Sequence, residues 1–408
     1  MPEFKPDAAQ TLAYAAIVLL AGLWLKKKIT IVDRLNIPAP VAGGLVAALL
    51  ILALRQSGQA AVEFDNTVRP ILEIGFFTTI GMSASLALLK RGGVQVVIFL
   101  AMATFLCLVQ NFVGAGIAMA FGVHPLVGVM AGSVTLVGGP ATGGAFAAKF
   151  AEYGVVGADS LAIAAATFGI VSGGLIGGPV GTWLVEKKVG RKPGHHRLDP
   201  SAVDDGGEKV MLEVEREDTP LLRNILVLLM AMGAGVVLSR WIAAQEIGGS
   251  KIILPGYIGA MIIAAILRNL DDWKGWFRIS PQFMDLLGSL SLLIYLALTL
   301  LRLRLWELAY LALPLIVILV AQVVCMALFA WWVSFRLMGR DYDSAVMATG
   351  LIGFALGTTA NALTNMRALV ERYGPSPRAF LVVPLVGAYF IDFINAAIIT
   401  GFLNYYKP

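Results

Sequence analysis

The sequence predicts an all-α polytopic membrane protein built as two inverted five-helix repeats, each with a re-entrant broken-helix loop. Three observations predict it. The 408 residues are 58% hydrophobic and 14% charged, with a mean hydropathy of +0.80, whereas soluble domains average about a quarter charged. Apolar runs long enough to span a bilayer, roughly 18 residues or more, recur along the chain. Two stretches rich in glycine and hydroxyls interrupt them 217 positions apart: Gly138-Gly139-Pro140-Ala141-Thr142-Gly143-Gly144, and Gly353 through Asn361, continuing to Asn365. Non-helical backbone is tolerated at membrane depth only inside protein or beside a water-filled cavity. A matched pair of such interruptions marks the binding site of many carriers.

Spans are expected at about 8–25, 37–55, 70–89, 93–122, 156–185, 220–244, 253–269, 281–301, 305–335 and 376–403, with broken segments at about 125–152 and 342–371. The first repeat covers 1–185 and the second 220–408. Between them, 186–219 is polar, with Lys187, Lys188, Arg191, Lys192, His195, His196 and Arg197 followed by acidic residues through Asp218. It is expected to be a cytoplasmic linker with no domain of its own. The first apolar run is expected to remain a helix, because Lys26-Lys27-Lys28 follows it instead of preceding it.

One register relates the halves. Ile37-Pro38 opens a segment ending Ala47-Ala48-Leu49-Leu50, and Leu254-Pro255 opens one ending Ala264-Ala265-Ile266-Leu267. The same offset of 217 pairs Val129-Met130-Ala131 with Val346-Met347-Ala348, Thr142 with Thr359, and Ala145 with Ala362. With both termini periplasmic and the linker cytoplasmic, inner loops hold 22 of the 31 Lys and Arg residues, as the positive-inside bias requires. Arg302 and Arg304 are exceptions. An odd number of spans per half makes the repeats antiparallel, so one broken segment enters from each face.

The net charge of +5 does not indicate nucleic acid, because the basic residues lie in short loops. Cys107 and Cys325 both fall inside spans and read as packing residues, and the three histidines lack partners at metal-ligand spacing. No convergent nucleophile, base or metal cluster indicates a membrane enzyme. A channel would also use polar loops, but it needs a continuous pore, usually within a ring of subunits.

Candidate substrate-binding residues are Gly138, Gly139, Thr142 and Gly143 in the first loop, with Gly357, Thr358, Thr359, Asn361 and Asn365 in the second. Glycines there would let the backbone turn and expose amides, while hydroxyls and carboxamides replace a solute's water. Close packing of two kinked helices is the competing explanation. Asp392, with Asn395 one turn on, is a candidate Na⁺ ligand pair, since a carboxylate within a span needs a partner; a helix–helix hydrogen bond is the other use. Gln110 and Asn111 could line a cavity or join helices. Lys149 could attract an anion or snorkel, and Glu73 and Asp285 stand near span ends.

At these residues the chain resembles the sodium/glutamate symporter family over nearly its full length. Besides the two interruptions, similar stretches are Ile37-Pro38-Ala39-Pro40-Val41-Ala42-Gly43-Gly44, Phe76-Phe77-Thr78-Thr79-Ile80-Gly81, and Ala166-Thr167-Phe168-Gly169-Ile170-Val171 leading to Pro179. Another is Phe380 through Ala388 running on to Phe390-Ile391-Asp392. Familiar members carry His and Gly where this chain has Pro140 and Ala141, Gly in place of Ala355, and a Thr-Pro pair near Thr359-Ala360. The resemblance implies Na⁺-coupled uptake of L-glutamate across a bacterial inner membrane by a homodimer, with Na⁺ as coupling ion and no cofactor. It also implies elevator-type motion, with the third to fifth helices of each repeat in the moving part. A carrier of aspartate or a 2-hydroxycarboxylate is the neighbouring possibility.

Overall fold

The computed structural model describes residues 3–35, 37–58, 61–91, 93–191, 220–247, 250–251 and 255–406. From residue 192 onward, the expected linker lies outside the described residues.

Helix α1 (Ala8–Lys28) starts at a capping box in which Asp7 and Gln10 satisfy each other's backbone amides, and ends on three lysines that suit the negative end of its dipole. A short α2 (Thr30–Arg34) leads to α3 (Ala39–Gln56), α4 (Arg69–Ser83), α5 (Leu86–Arg91) and α6 (Gly93–Ala120). Then come α7 (Pro125–Val129), α8 (Gly139–Glu152) and α9 (Ala158–Trp183), which continues as a π turn to Val189. The second half runs α10 (Pro220–Ala243), α11 (Gly256–Lys274), α12 (Pro281–Leu301), a 3₁₀ segment, α13 (Ala312–Phe329) and α14 (Phe335–Leu337). It ends with α15 (Tyr342–Leu356), α16 (Thr359–Tyr373), α17 (Pro377–Leu385) and α18 (Ile391–Tyr405). Two-residue strands pair Glu3–Phe4 with Ala61–Val62 in parallel, and Glu246–Ile247 with Ser250–Lys251 antiparallel.

The chain is a multi-pass helical membrane protein. Among the described residues, eight helices are long and apolar enough to cross a membrane, two fewer than the ten spans expected. The expected span at 70–89 is interrupted at Ala84-Ser85, where Asn269 bonds both Ala84 O and Leu86 N, at 2.9 and 2.8 Å. The expected span at 253–269 becomes a helix reaching Lys274 whose last turns carry Arg268, Asp271 and Asp272.

The helices pack as two groups. One contains α1, α3, α4, α10, α11 and α12; the other contains α6 to α9, α13 and α15 to α18. The third helix of each half, α4 or α12, therefore joins the first two, contrary to the third-to-fifth grouping implied by the resemblance. Small residues cause it: a Cβ on Gly81 would stand 2.3 Å from Met261 O, and one on Gly288 would stand 2.3 Å from Thr79 Oγ1. Backbones can meet that closely only without a side chain between them.

Few polar bonds join the groups. Arg69, at the start of α4, donates to Gly144 O at 2.8 Å and pairs with Asp159 at 3.1 Å. Tyr295 donates to Ala141 O at 3.2 Å, and Ser160 bonds the Arg304 backbone in both directions at 3.0 Å. Beyond the other end of α4, a cavity of 570 Å³ separates Leu86, Leu89, Ile262 and Ile266 from Phe390 and Phe393.

Candidate functional site

Both expected broken segments are broken, and their tips abut inside the second helix group. The chain leaves helical geometry first at Gly132 (φ −102°, ψ −133°), six residues before the sequence motif. It re-enters a helix at Gly139, whose φ of +64° is a left-handed turn that favours glycine. A Cβ on Gly139 would lie 3.6 Å from Gly357 O, so the two turns touch. The second break falls at Gly357 (φ −147°, ψ −99°), between α15 and α16.

The first motif is shorter than its sequence suggested. Gly138 is the N-cap of α8, and Thr142, buried, occupies its first turn. Gly143 and Gly144 are helical and do not turn the loop. Their smallness serves packing: a Cβ on Gly143 would meet Thr135 at 2.9 Å, and one on Gly144 would meet the Tyr295 hydroxyl at 2.5 Å. Pro140 removes an amide donor from the first turn of α8.

At the second break the motif supplies its own anchors. Thr358 Oγ1 accepts from Asn361 N at 3.3 Å, and Thr359 Oγ1 donates to Gly387 O at 3.0 Å. Asn361 Nδ2 donates to Ile170 O at 2.7 Å, and Asn365 Nδ2 donates to Gly173 O at 2.9 Å. The two Asn bonds fix α16 against α9, and the Thr359 bond ties it to the segment between α17 and α18.

At the first break Thr135 Oγ1 donates to Met130 O within the segment, and the Ser133 backbone is met from outside. Ser133 N donates to Asn111 Oδ1 at 2.9 Å, and Ser133 O accepts from Asn395 Nδ2 at 2.9 Å. Next to Asn111 on α6, Gln110 sends Nε2 to Ala355 O at 3.0 Å, just before the second break. Its backbone oxygen accepts from Gln322 Nε2 of α13 at 2.7 Å. Gln110, Asn111, Ser133, Gln322 and Asn395 are all fully buried. One bonded chain thus links Asn395, the first break, α6, and the arm leading to the second break.

The amide nitrogens of Gln110, Gln322 and Asn395 in this node, and of Asn361 on α16, are spent on backbone carbonyls, which fixes their orientation. Their side-chain oxygens are buried with no partner, as is Ser133 Oγ. Thr167 Oγ1, one turn before Ile170 on α9, is also unpartnered. Buried unpaired oxygens cost on the order of 1–3 kcal/mol each, and hard cations compensate such groups. Asp392 lies one turn from Asn395, half-buried, and among the described residues no hydrogen bond or ion pair reaches it.

The remaining candidates lie elsewhere. Lys149 pairs with Glu152 at 2.9 Å, near the end of α8 away from the tips. Glu73 is one turn from Arg69, and Asp285 is on α12 in the first helix group. Cys107 and Cys325 are free thiols. Ser133, Thr167 and Gln322 were not singled out by the sequence. Gln322 carried the same signal as Gln110, an amide midway along an apolar span.

A helical membrane protein with two broken segments meeting tip to tip beside buried hard oxygens has the architecture of secondary transporters. The sequence model of the sodium/glutamate symporter family matches residues 4–375, and the chain belongs to that family. It is 42% identical over 403 residues to the sodium/glutamate symporter of Escherichia coli (strain K12), covering 98% of both chains. To the sodium/glutamate symporter of Haemophilus influenzae it is 40% identical over 392 residues, 96% of this chain and 95% of the relative. These relatives are named as transporters, not enzymes.

Proposed function

We propose that this protein couples inward Na⁺ movement to L-glutamate uptake across a bacterial inner membrane. The carrying observation is the contact of two helix breaks, Gly139 against Gly357, beside buried carboxamide oxygens that lack partners. Glutamate's carboxylates are suited to the amino-terminal ends of α8 and α16, where freed amides and helix dipoles favour anions. Gly138, Gly139, Thr142 and Gly143 would bound one side of the solute. Gly357, Thr358, Thr359, Asn361 and Asn365 would bound the other, with Thr and Asn oxygens accepting from its ammonium.

Na⁺ is assigned to Asp392 and Asn395, with Gln110 Oε1 and Ser133 Oγ within the same bonded node. Asn395 Oδ1 is oriented by its amide and left without a partner, as a hard-oxygen ligand would be. Glutamate is a monoanion, so one Na⁺ gives an electroneutral cycle. Two would carry one net charge inward and gain about 2.3 kcal/mol per 100 mV.

We read the repeats as inverted and the breaks as re-entrant. Helices at corresponding places start 217 residues apart, Ala39 with Gly256 and Pro125 with Tyr342. Packing partners exchange in the same way: α4 lies on α11 as α12 lies on α3, and α1 on α3 as α10 on α11. Elevator-type motion of the second helix group along the first is supported by their few polar bonds, gathered near the start of α4. A homodimer, periplasmic termini and a cytoplasmic linker complete the proposal.

Uptake of labelled glutamate into proteoliposomes tests it. Accumulation should require an inward Na⁺ gradient and collapse when Na⁺ is equal on both sides. Gradient-independent flux would reject coupling. Counterflow against unlabelled acids, in which aspartate or a 2-hydroxycarboxylate outcompeted glutamate, would reject the substrate.

A further inference from the structure

We propose that the adjoining ends of α9 and α13–α14 form a headgroup site for an anionic phospholipid. A cavity of 230 Å³ there is lined by Lys188, Trp331, Phe335, Arg336 and Arg340. Three cations line it and no carboxylate does. The acids nearest in sequence are bound elsewhere: Glu186 accepts from Tyr373 at 2.7 Å, Asp341 pairs with Arg378 at 3.0 Å, and Asp343 accepts from Ser376. Among the described residues, Lys188, Arg336 and Arg340 make no ion pair.

Aromatic rings hold two of these cations instead. Lys188 Nζ lies 5.3 Å from the Trp183 ring centre and 5.6 Å from that of Trp331. The Arg336 guanidinium lies 5.1 Å from the Trp332 ring centre. A ring positions a cation without cancelling its charge, so the cavity keeps a field suited to a phosphodiester. Arg340 has a left-handed backbone (φ 58°) and donates its amide to Phe335 O at 3.0 Å, tying it to the turn that closes α14.

The surroundings favour a lipid over free phosphate. Val324, Leu328 and Trp332 repeat at one-turn spacing and are more than half exposed, giving an apolar stripe along α13 that ends beside the cavity. An acyl chain can follow that stripe while its headgroup occupies the cations. Tryptophans concentrate at the membrane–water boundary, and basic pockets between spanning helices bind acidic headgroups.

Thermal unfolding of the full-length protein, delipidated in neutral detergent, tests the site. Phosphatidylglycerol should raise the transition by several degrees and phosphatidylcholine should not. The Lys188→Gln/Arg336→Gln variant should lose most of the phosphatidylglycerol-specific shift. Arg336→Lys, which keeps the charge, should retain most of it, and Lys274→Gln on α11 should retain all. If the double variant does not fold, Arg336→Gln and Arg340→Asn (asparagine tolerates the left-handed backbone) must each reduce the shift. Equal shifts in variant and parent, or with both lipids, would overturn the proposal. So would an equal shift from inorganic phosphate, which would make this a free-anion site.

Discussion

At the first break, Ser133 is held by side chains that arrive from other helices, whereas the second broken segment, though Gln110 of α6 reaches Ala355 O beside it, carries its own cap at Thr358 and its own anchoring side chains. Ser133 depends on Asn111 of α6 and Asn395 of α18. The second segment reaches outward with Thr359, Asn361 and Asn365 to carbonyls of Gly387, Ile170 and Gly173. Exposure differs too. From Leu126 to Ala147 nearly every residue is buried, while Thr358 and Thr359 are half-buried and Ala360 is exposed. Under the proposed assignment, Ser133 of the sealed break stands beside the cation, and the Thr and Asn side chains of the self-anchored break contact the solute.

The largest effect should come from the turns themselves. Gly139→Val places a branched side chain at φ +64°, and Gly357→Val places a Cβ 2.6 Å from Asn361 Nδ2 and 3.1 Å from Ile170 Cα. Each should lower initial uptake in proteoliposomes by on the order of a hundredfold, about 2.7 kcal/mol, with the protein still eluting as a folded species. Normal uptake by both variants would dissolve the site.

Next come substitutions that separate cation from solute. Asp392→Asn and Asn395→Ala should each raise the Na⁺ concentration for half-maximal uptake about tenfold, roughly 1.4 kcal/mol, with a smaller change for glutamate. Asn361→Ala and Asn365→Ala should do the reverse. Parallel shifts in both constants for all four variants would erase the distinction between the breaks.

The sequence made the second break more legible than the first. Gly357, Thr358, Asn361 and Asn365 lie close together on the segment they anchor, so the motif and the geometry coincide. At the first break the run Gly138–Gly144 is the conspicuous signal, whereas the helix departs at Gly132, a single glycine between Ala131 and Ser133. Its polar partners, Asn111 and Asn395, are distant in sequence, and only the fold brings them to Ser133. Helix identity followed well from apolar length, yet the kink at Ala84-Ser85 did not, because Asn269, the residue that holds it, lies on another helix. Grouping of α4 and α12 with the first helices also rests on Gly81 and Gly288, whose role depends on which neighbour they meet.

The smallest effect concerns the support of the second hairpin. Asp341 caps α15, accepting from Ser344 N at 2.7 Å, and pairs with Arg378 at 3.0 Å. Burial raises its carboxyl, but the Ser344 hydrogen bonds and the Arg378 charge outweigh it and hold the group below the ordinary range. A depressed folded pKa gives stabilisation that is present above the unfolded value, about 3.9, and is lost as pH falls through the folded one. Asp341→Asn should therefore lower the thermal midpoint slightly at neutral pH, and the gap should narrow as the pH drops below about 4. A gap that widens in acid would reverse the assignment.

Alternating exposure of the two tips is tested most directly by thiol accessibility. Single cysteines at Thr142 and Thr359, in a protein with Cys107 and Cys325 replaced by alanine, are treated with a small membrane-impermeant reagent from either side. Thr142→Cys should react from the periplasmic face and Thr359→Cys from the cytoplasmic face, and saturating Na⁺ with glutamate should change both rates. Equal reaction of each from both faces, regardless of ligand, would mean an open pore, and no reaction at either would mean packed helices; both results contradict a shared site opened to one side at a time.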